Sequence, residues 1–228
     1  MNERPSRYDF DSMAHCYDQW YATLEGRVYD RLEQKAISRY LPRNIEAMTL
    51  LEIGCGTGHW TRFFSDCGFE VTGIDVSEAM IEMAQGKSIT KASFQIADGH
   101  SLPFNDDRFD ITVAITALEF VWNAEAVIEE MVRCTRSPGG QIILGVLNAA
   151  APINRKRQEN SESLFAEARW FTSGQIKRLL RPFGHVEVVT TGFVSHWKPL
   201  LQLSPVFDVL GRLSRVPYGA FIVAKVTL

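Results

Sequence analysis

The run Glu52-Ile53-Gly54-Cys55-Gly56-Thr57-Gly58 carries the strongest chemical signal in the chain. Glycines at that spacing let a backbone bend sharply and approach a ligand more closely than a Cβ would allow. Seventeen residues after Gly58, Asp75 offers a carboxylate that can accept hydrogen bonds from the two hydroxyls of a ribose. Asp98, followed by Gly99, offers a second one that can accept from an adenine amino group. A glycine turn and two carboxylates on one edge of one sheet describe a nucleoside pocket. Each residue also has a plainer use, Asp75 as a cap on a helix starting near Ser77 and Asp98 as a turn residue. Their joint placement is what points to a pocket.

The surrounding segments must hold these groups in place. Residues 48–53 form a short, nearly continuous apolar run stopped by Gly54, as expected of a strand buried on both faces. A helix over 57–67, a strand over 71–75, a helix over 77–85 and strands over 93–97 and 109–115 follow. Next come a helix over 124–136, the turn Ser137-Pro138-Gly139-Gly140 and a strand over 141–147. Closing strands are expected over 186–189 and 220–226. The alternation predicts an α/β fold with a doubly wound, mostly parallel seven-stranded sheet. Upstream, Phe10, Met13, Ala14, Tyr17, Trp20, Tyr21 and Leu24 share a helical face, and a second helix is expected after Gly26. Past Asn148 the pattern loosens through Arg155-Lys156-Arg157 into an inserted loop or lid after the fifth strand, and that basic run either touches an anionic substrate or is simply solvated. A helix then starts at Thr172 or Ser173, and Ser204-Pro205 resembles an N-cap with Val206, Phe207, Leu210 and Leu213 on one face. The expected organisation is a single domain over 1–228: an N-terminal helical cap (1–45), a ligand-binding core (46–148), and a lid with the C-terminal part of the sheet (149–228).

Bulk properties narrow the function. The chain has 228 residues, 46% of them hydrophobic, enough for one sizeable core. A net charge of −3 supplies no broad positive field for a phosphate backbone, so nucleic acid is not expected as a partner. Cys16, Cys55, Cys67 and Cys134 are scattered without CxxC pairing, and no His/Cys cluster has metal-ligand spacing, so reduced thiols and no metal are expected. No apolar run approaches the length of a transmembrane segment and the N-terminus lacks a secretory apolar core, which predicts a cytoplasmic protein.

The chain resembles the class I S-adenosylmethionine-dependent methyltransferases, in particular the ubiquinone/menaquinone-biosynthesis-like branch that acts on small molecules. The resemblance rests on residues 51–58, on Gly73-Ile74-Asp75-Val76-Ser77 with Met80, on Ala97-Asp98-Gly99 and Leu102-Pro103-Phe104, on Phe109-Asp110 and on Pro138-Gly139-Gly140. It covers about residues 50–147 and implies a Rossmann-like fold with S-adenosyl-L-methionine as cofactor. It places the glycine turn, with Glu52, Gly54, Cys55, Gly56 and Gly58, at the methionine end of the cofactor. Asp75 would then meet the ribose and Ala97, Asp98 and Gly99 the adenine, with Val76 and Met80 lining the adenine slot. Thr116 and the three residues after it would face the sulfonium. The segment Tyr17-Asp18-Gln19-Trp20-Tyr21 looks like the aromatic stretch that related enzymes fold over the cofactor, with Tyr17 toward the cofactor and Tyr21 toward the substrate. A plain amphipathic face would use the same residues.

Two other functions share parts of this pattern. A nicotinamide-dependent oxidoreductase would use G-x-G-x-x-G, but His59 stands three residues after Gly56. A non-catalytic protein that binds the cofactor in a regulatory or assembly role would keep the whole pocket. Thr116-Ala117-Leu118-Glu119 replaces the Asp/Asn-Pro-Pro-aromatic segment with which other methyltransferases grip planar nitrogens of nucleic acids and proteins, which argues against such substrates. If the acceptor must lose a proton, Glu119 and His15 are the candidate bases, although Glu119 could merely orient a neighbour and His15 could lie on a solvated face. Tyr17, Trp20, Tyr21, Trp122, Phe165, Trp170, Phe171 and Trp197 lie outside the central strands. They suit a small, largely apolar or aromatic methyl acceptor under a lid, with Tyr21, Trp122 and Trp170 as candidate contacts. The assembly is expected to be a monomer or homodimer.

Overall fold

A computed structural model of the chain describes residues 6–159, 164–194, 198–214 and 216–228. Trp197 lies outside them. Seven strands, β1 (Thr49–Ile53), β2 (Glu70–Asp75), β3 (Ala92–Ile96), β4 (Ile111–Ile115), β5 (Gln141–Leu147), β6 (His185–Thr191) and β7 (Phe221–Thr227), form one sheet in the order β3-β2-β1-β4-β5-β7-β6. All neighbours are parallel except β7, which runs antiparallel to both β5 and β6. Strand side chains alternate between two cores, as a period of two requires. Ile142, Leu144 and Val146 of β5 enter one core, and Ile143 and Leu147 enter the other.

Helices cover both faces. Before the sheet come α1 (Ala14–Tyr17), α2 (Gln19–Ala22) and α3 (Leu24–Ile37). Between strands run α4 (His59–Cys67), α5 (Glu78–Gly86) and α6 (Ala124–Cys134), and after β5 come α7 (Pro152–Glu159), α8 (Ser173–Leu180) and α9 (Ser204–Leu213). Val127 and Met131 of α6 and Ile176 and Leu180 of α8 fill the first core, whereas Ile37 of α3 and Trp60 and Phe64 of α4 fill the second. No helix of the described residues is long and apolar enough to cross a membrane.

Three expectations need correction. The N-terminal helix is not continuous: it breaks at Asp18 and again at Thr23, whose extended backbone and side chain cap α3 by accepting from the Gly26 amide. Gly26 therefore lies inside the first turn of α3 and is not a stop. A Cβ there would collide with the Trp20 carbonyl oxygen, so glycine is needed for close packing of α2 on α3. At the other end, Ser204 is the first residue of α9 and its hydroxyl caps nothing, while Val206, Leu210 and Leu213 stand exposed.

Candidate active site

The strand order reverses direction between β1 and β4, and ligands of open α/β sheets bind at the carboxyl ends of strands at such a point. There the amides of Gly54 and Cys55 both donate to the Ile74 carbonyl, at 2.8 and 2.9 Å, which folds the end of β1 against β2. Gly54 has φ +70° and packs on Ala117, whose Cβ would lie 2.5 Å from an added methyl. Gly56, with φ +51°, differs in kind. A Cβ there would point into open space, its nearest neighbours being Tyr17 Cε1 at 3.9 Å and Met80 Sδ at 4.0 Å.

The Gly56 amide donates to Asp75 Oδ2 at 2.9 Å and the Ser77 amide to Oδ1 at 3.0 Å. The cap on α5 is Ser77, whose hydroxyl accepts from the Met80 amide. Asp75 is thus free of the capping role and presents its carboxylate to a cleft. Burial pushes its carboxyl above the ordinary range, against the pull of the amides around it. Val76, Met80 and Ala97 form an apolar slot beside it, and Asp98 and Gly99 lie at the end of β3. Asp98 is oriented by His100: the imidazole accepts from the Asn123 amide on Nε2, which leaves Nδ1 to donate to Asp98 at 2.6 Å. Opposite stands Thr116, a β-branched residue with φ +50°, a strained conformation of the kind that gathers at working sites.

The segment before α3 straps this cleft from above. The Arg7 amide donates to the Phe120 carbonyl at 2.7 Å. Asp11 accepts from the Ser77 hydroxyl at 2.5 Å, and Asp18 accepts from the Thr57 hydroxyl and pairs with Lys87, both at 2.6 Å. Burial disfavours the Asp18 charge, but the Lys87 and Thr57 contacts prevail and hold its carboxyl below the usual range.

Beneath the strap a second cavity shares Phe10, Tyr17, Thr116 and Phe120 with the first. Its other walls are mostly aromatic, including Trp20, Tyr21, Tyr29 and Trp60. Tyr21 stacks on His59 with ring centroids 3.6 Å apart, and Asp30 holds His59 at 2.8 Å. Burial pushes the Tyr17 hydroxyl up to about 12, with Asp75 adding to the effect.

Not every residue whose type and spacing suggested a role reaches a cavity. Glu52 is buried behind the turn, accepting from the Thr61 hydroxyl at 2.5 Å; burial, with help from Asp75, pushes its carboxyl up to about 8. Cys55 is buried against Gly73, and Gly58 packs on Ile89, Ala84 and Phe94. Glu119 is fully buried, one oxygen accepting from the Leu147 amide at 2.6 Å and the other without a partner among the described residues. Burial pushes it up to about 7; it lines neither cavity itself, but its charge bears on Tyr17 and Glu33, which line the second. His15 is exposed outside both cavities. Trp122 is exposed with the Arg7 guanidinium 4.6 Å from its ring, and Trp170 backs the wall by donating its indole N–H to the Phe165 carbonyl at 3.3 Å. Two further ionisable groups line the second cavity: Glu33, which the sequence did not single out, and Arg157, the one member of the basic run that reaches it.

Residues 50–140 match the model of a methyltransferase domain. Over its full extent the structure resembles an S-adenosylmethionine-dependent methyltransferase from Thermotoga maritima, described as a possible histamine N-methyltransferase. That match has a TM-score of 0.74 and 25% identity, and covers 96% of this chain and 97% of the other. Residues 50–140 thus carry a methyltransferase domain, on the fold of the S-adenosylmethionine-dependent methyltransferases. In sequence the chain is 29% identical over 184 residues to an uncharacterised protein of Methanocaldococcus jannaschii, covering 80% of this chain and 83% of that one. It is 28% identical over 139 residues to the demethylmenaquinone methyltransferase of Bacillus licheniformis, spanning 59% of each. The cleft suits the family's cofactor on its own geometry: the one glycine whose missing Cβ faces the cavity stands beside a carboxylate and an apolar slot.

Proposed function

We propose that the chain transfers a methyl group from S-adenosylmethionine to a small acceptor with an apolar or aromatic body, held in the second cavity. The observation that carries this reading is the shared wall: the aromatic cavity meets the cofactor cleft at Phe10, Tyr17, Thr116 and Phe120. In this reading Gly54 and Gly56 face the methionine end, Asp75 accepts from the ribose hydroxyls and Asp98 from the adenine amino group. Val76, Met80 and Ala97 sandwich the base. The bound cofactor supplies an electrophilic methyl. The protein's part is to align an acceptor behind that methyl and exclude water, and such alignment contributes on the order of 7–11 kcal/mol to lowering a barrier. The strap residues Tyr17 and Tyr21 close the space, and Thr116 stands where the two cavities meet.

Calorimetry with S-adenosylhomocysteine and with NADH tests the cofactor half, with affinity on the order of micromolar expected for the first and none for the second. Incubation with methyl-labelled cofactor and a small-molecule metabolite extract tests the other half, the labelled product being identified by mass spectrometry. NADH binding in place of S-adenosylhomocysteine, or label found only on nucleic acid, would overturn the proposal.

A further inference from the structure

The wall of the second cavity carries two ionisable groups of opposite type that do not pair with each other. Glu33 faces it from α3 with no hydrogen-bond partner among the described residues, and Arg157 reaches it from α7 with no ion pair among them. The arginine is held firmly in place. Its guanidinium carbon lies 5.5, 5.4 and 5.6 Å from the rings of Trp20, Tyr29 and Phe165, and it donates to Asn154 Oδ1 at 3.3 Å. Asn154 is itself fully buried and anchored, donating from Nδ2 to the carbonyls of Asn148 and Ala220. A side chain fixed this way keeps a forked, permanently charged donor at the cavity wall.

We propose that this cavity selects an acceptor bearing a carboxylate, bound by Arg157 and Glu33 together while its apolar body lies among the rings. The proposal deepens the methyltransferase reading and rests on it. Arg157 is the sole cation among the described residues of the wall, so a singly charged anion balances it. Burial, then Asp30, pushes the Glu33 carboxyl up to about 8 in spite of the pull of Arg157. At neutral pH it therefore keeps its proton and offers an O–H donor. Both wall groups then donate, and a carboxylate accepts from both. An ammonium group would face the guanidinium charge, and Glu33 would have to release its proton to solvent before it could accept from it.

The test uses three probes with the same ring and different charge: phenylacetate, 2-phenylethanol and 2-phenylethylamine. Each is titrated calorimetrically into the whole chain, with and without saturating S-adenosylhomocysteine. Phenylacetate is expected to bind roughly tenfold or more tighter than the alcohol, and the amine most weakly. Arg157→Met should abolish the preference while leaving S-adenosylhomocysteine affinity unchanged, which also reports an intact fold. Glu33→Gln, which keeps an N–H donor, should retain most of it. Tightest binding of the amine, equal binding of all three, no binding of phenylacetate at millimolar concentration, or a preference that survives Arg157→Met would each overturn the proposal. Failure of S-adenosylhomocysteine to bind would overturn the proposed function instead, and the charge preference would still be read without it.

Discussion

The Gly56 amide donates to Asp75 Oδ2 at 2.9 Å, so the glycine turn and the carboxylate at the end of β2 form one unit. Charge-assisted hydrogen bonds from Asp75 to a ribose contribute about 1.5–3 kcal/mol each. Asp75→Ala should weaken S-adenosylhomocysteine binding about tenfold or more by calorimetry. Asp75→Asn, which keeps an acceptor for the Gly56 amide, should lose affinity with a smaller change in melting temperature. Unchanged affinity in both variants would reduce Asp75 to a local structural role.

The two glycines of the turn should fail in different ways. Gly54→Ala drives a methyl to 2.5 Å from Ala117 Cβ at a positive φ, so the fold should lose about 2 kcal/mol or more in urea denaturation. Gly56→Ala meets nothing closer than 3.9 Å and should cost the fold only the strain of its positive φ, about 1–2 kcal/mol, while blocking the cofactor. If Gly56→Ala bound S-adenosylhomocysteine normally, its open side would not be the ligand's side.

Glu52 gives a pH dependence with a definite sign. Its folded-state value of about 8 lies above the ordinary 4.5, so between those values the native state holds a proton that the unfolded chain has released. Its contribution to stability is fully present below about 4.5, declines as pH rises through this window and levels off above about 8. Urea midpoints measured from pH 5 to 9 should fall less steeply for Glu52→Gln than for the native chain. The slope should not vanish, because Glu33 and Glu119 are raised in the same direction. Identical slopes would mean that Glu52 is ionised in the fold at neutral pH.

Asp18 ties the strap to both the glycine turn and the end of α5. Asp18→Ala should speed S-adenosylhomocysteine release by about fivefold in stopped-flow experiments, with less effect on melting. A dissociation rate equal to that of the native chain would show that the strap does not limit release.

Much of the core was legible because its signals are local. The limits of β5 follow from one apolar run bounded by Gly140 and Asn148, and Thr172 caps α8 through a capping box with Gln175. Gly26 misled because a glycine needed for a close tertiary approach looks, in sequence, like a helix stop. Glu33 escaped for a related reason, since it lies in a charged helix that reads as solvated. Arg157 was legible only as one of three basic residues in a loop, and it is the helix α7 that separates it from its neighbours and brings it to the cavity. Glu119 and Trp122 are the opposite case: their types are apt, but neither lines a cavity.

Tyr17 borders both cavities, and among the described residues of the strap only Phe10 does the same. What lies on one side of that ring limits the positions open to it on the other. If acceptor and methyl donor fill the two sides as proposed, any coupling carried by this ring is reciprocal: the factor by which one ligand alters the affinity of its neighbour is the same in either direction. Tyr17 would then be a common partition, through which a change of acceptor is felt at the methyl donor.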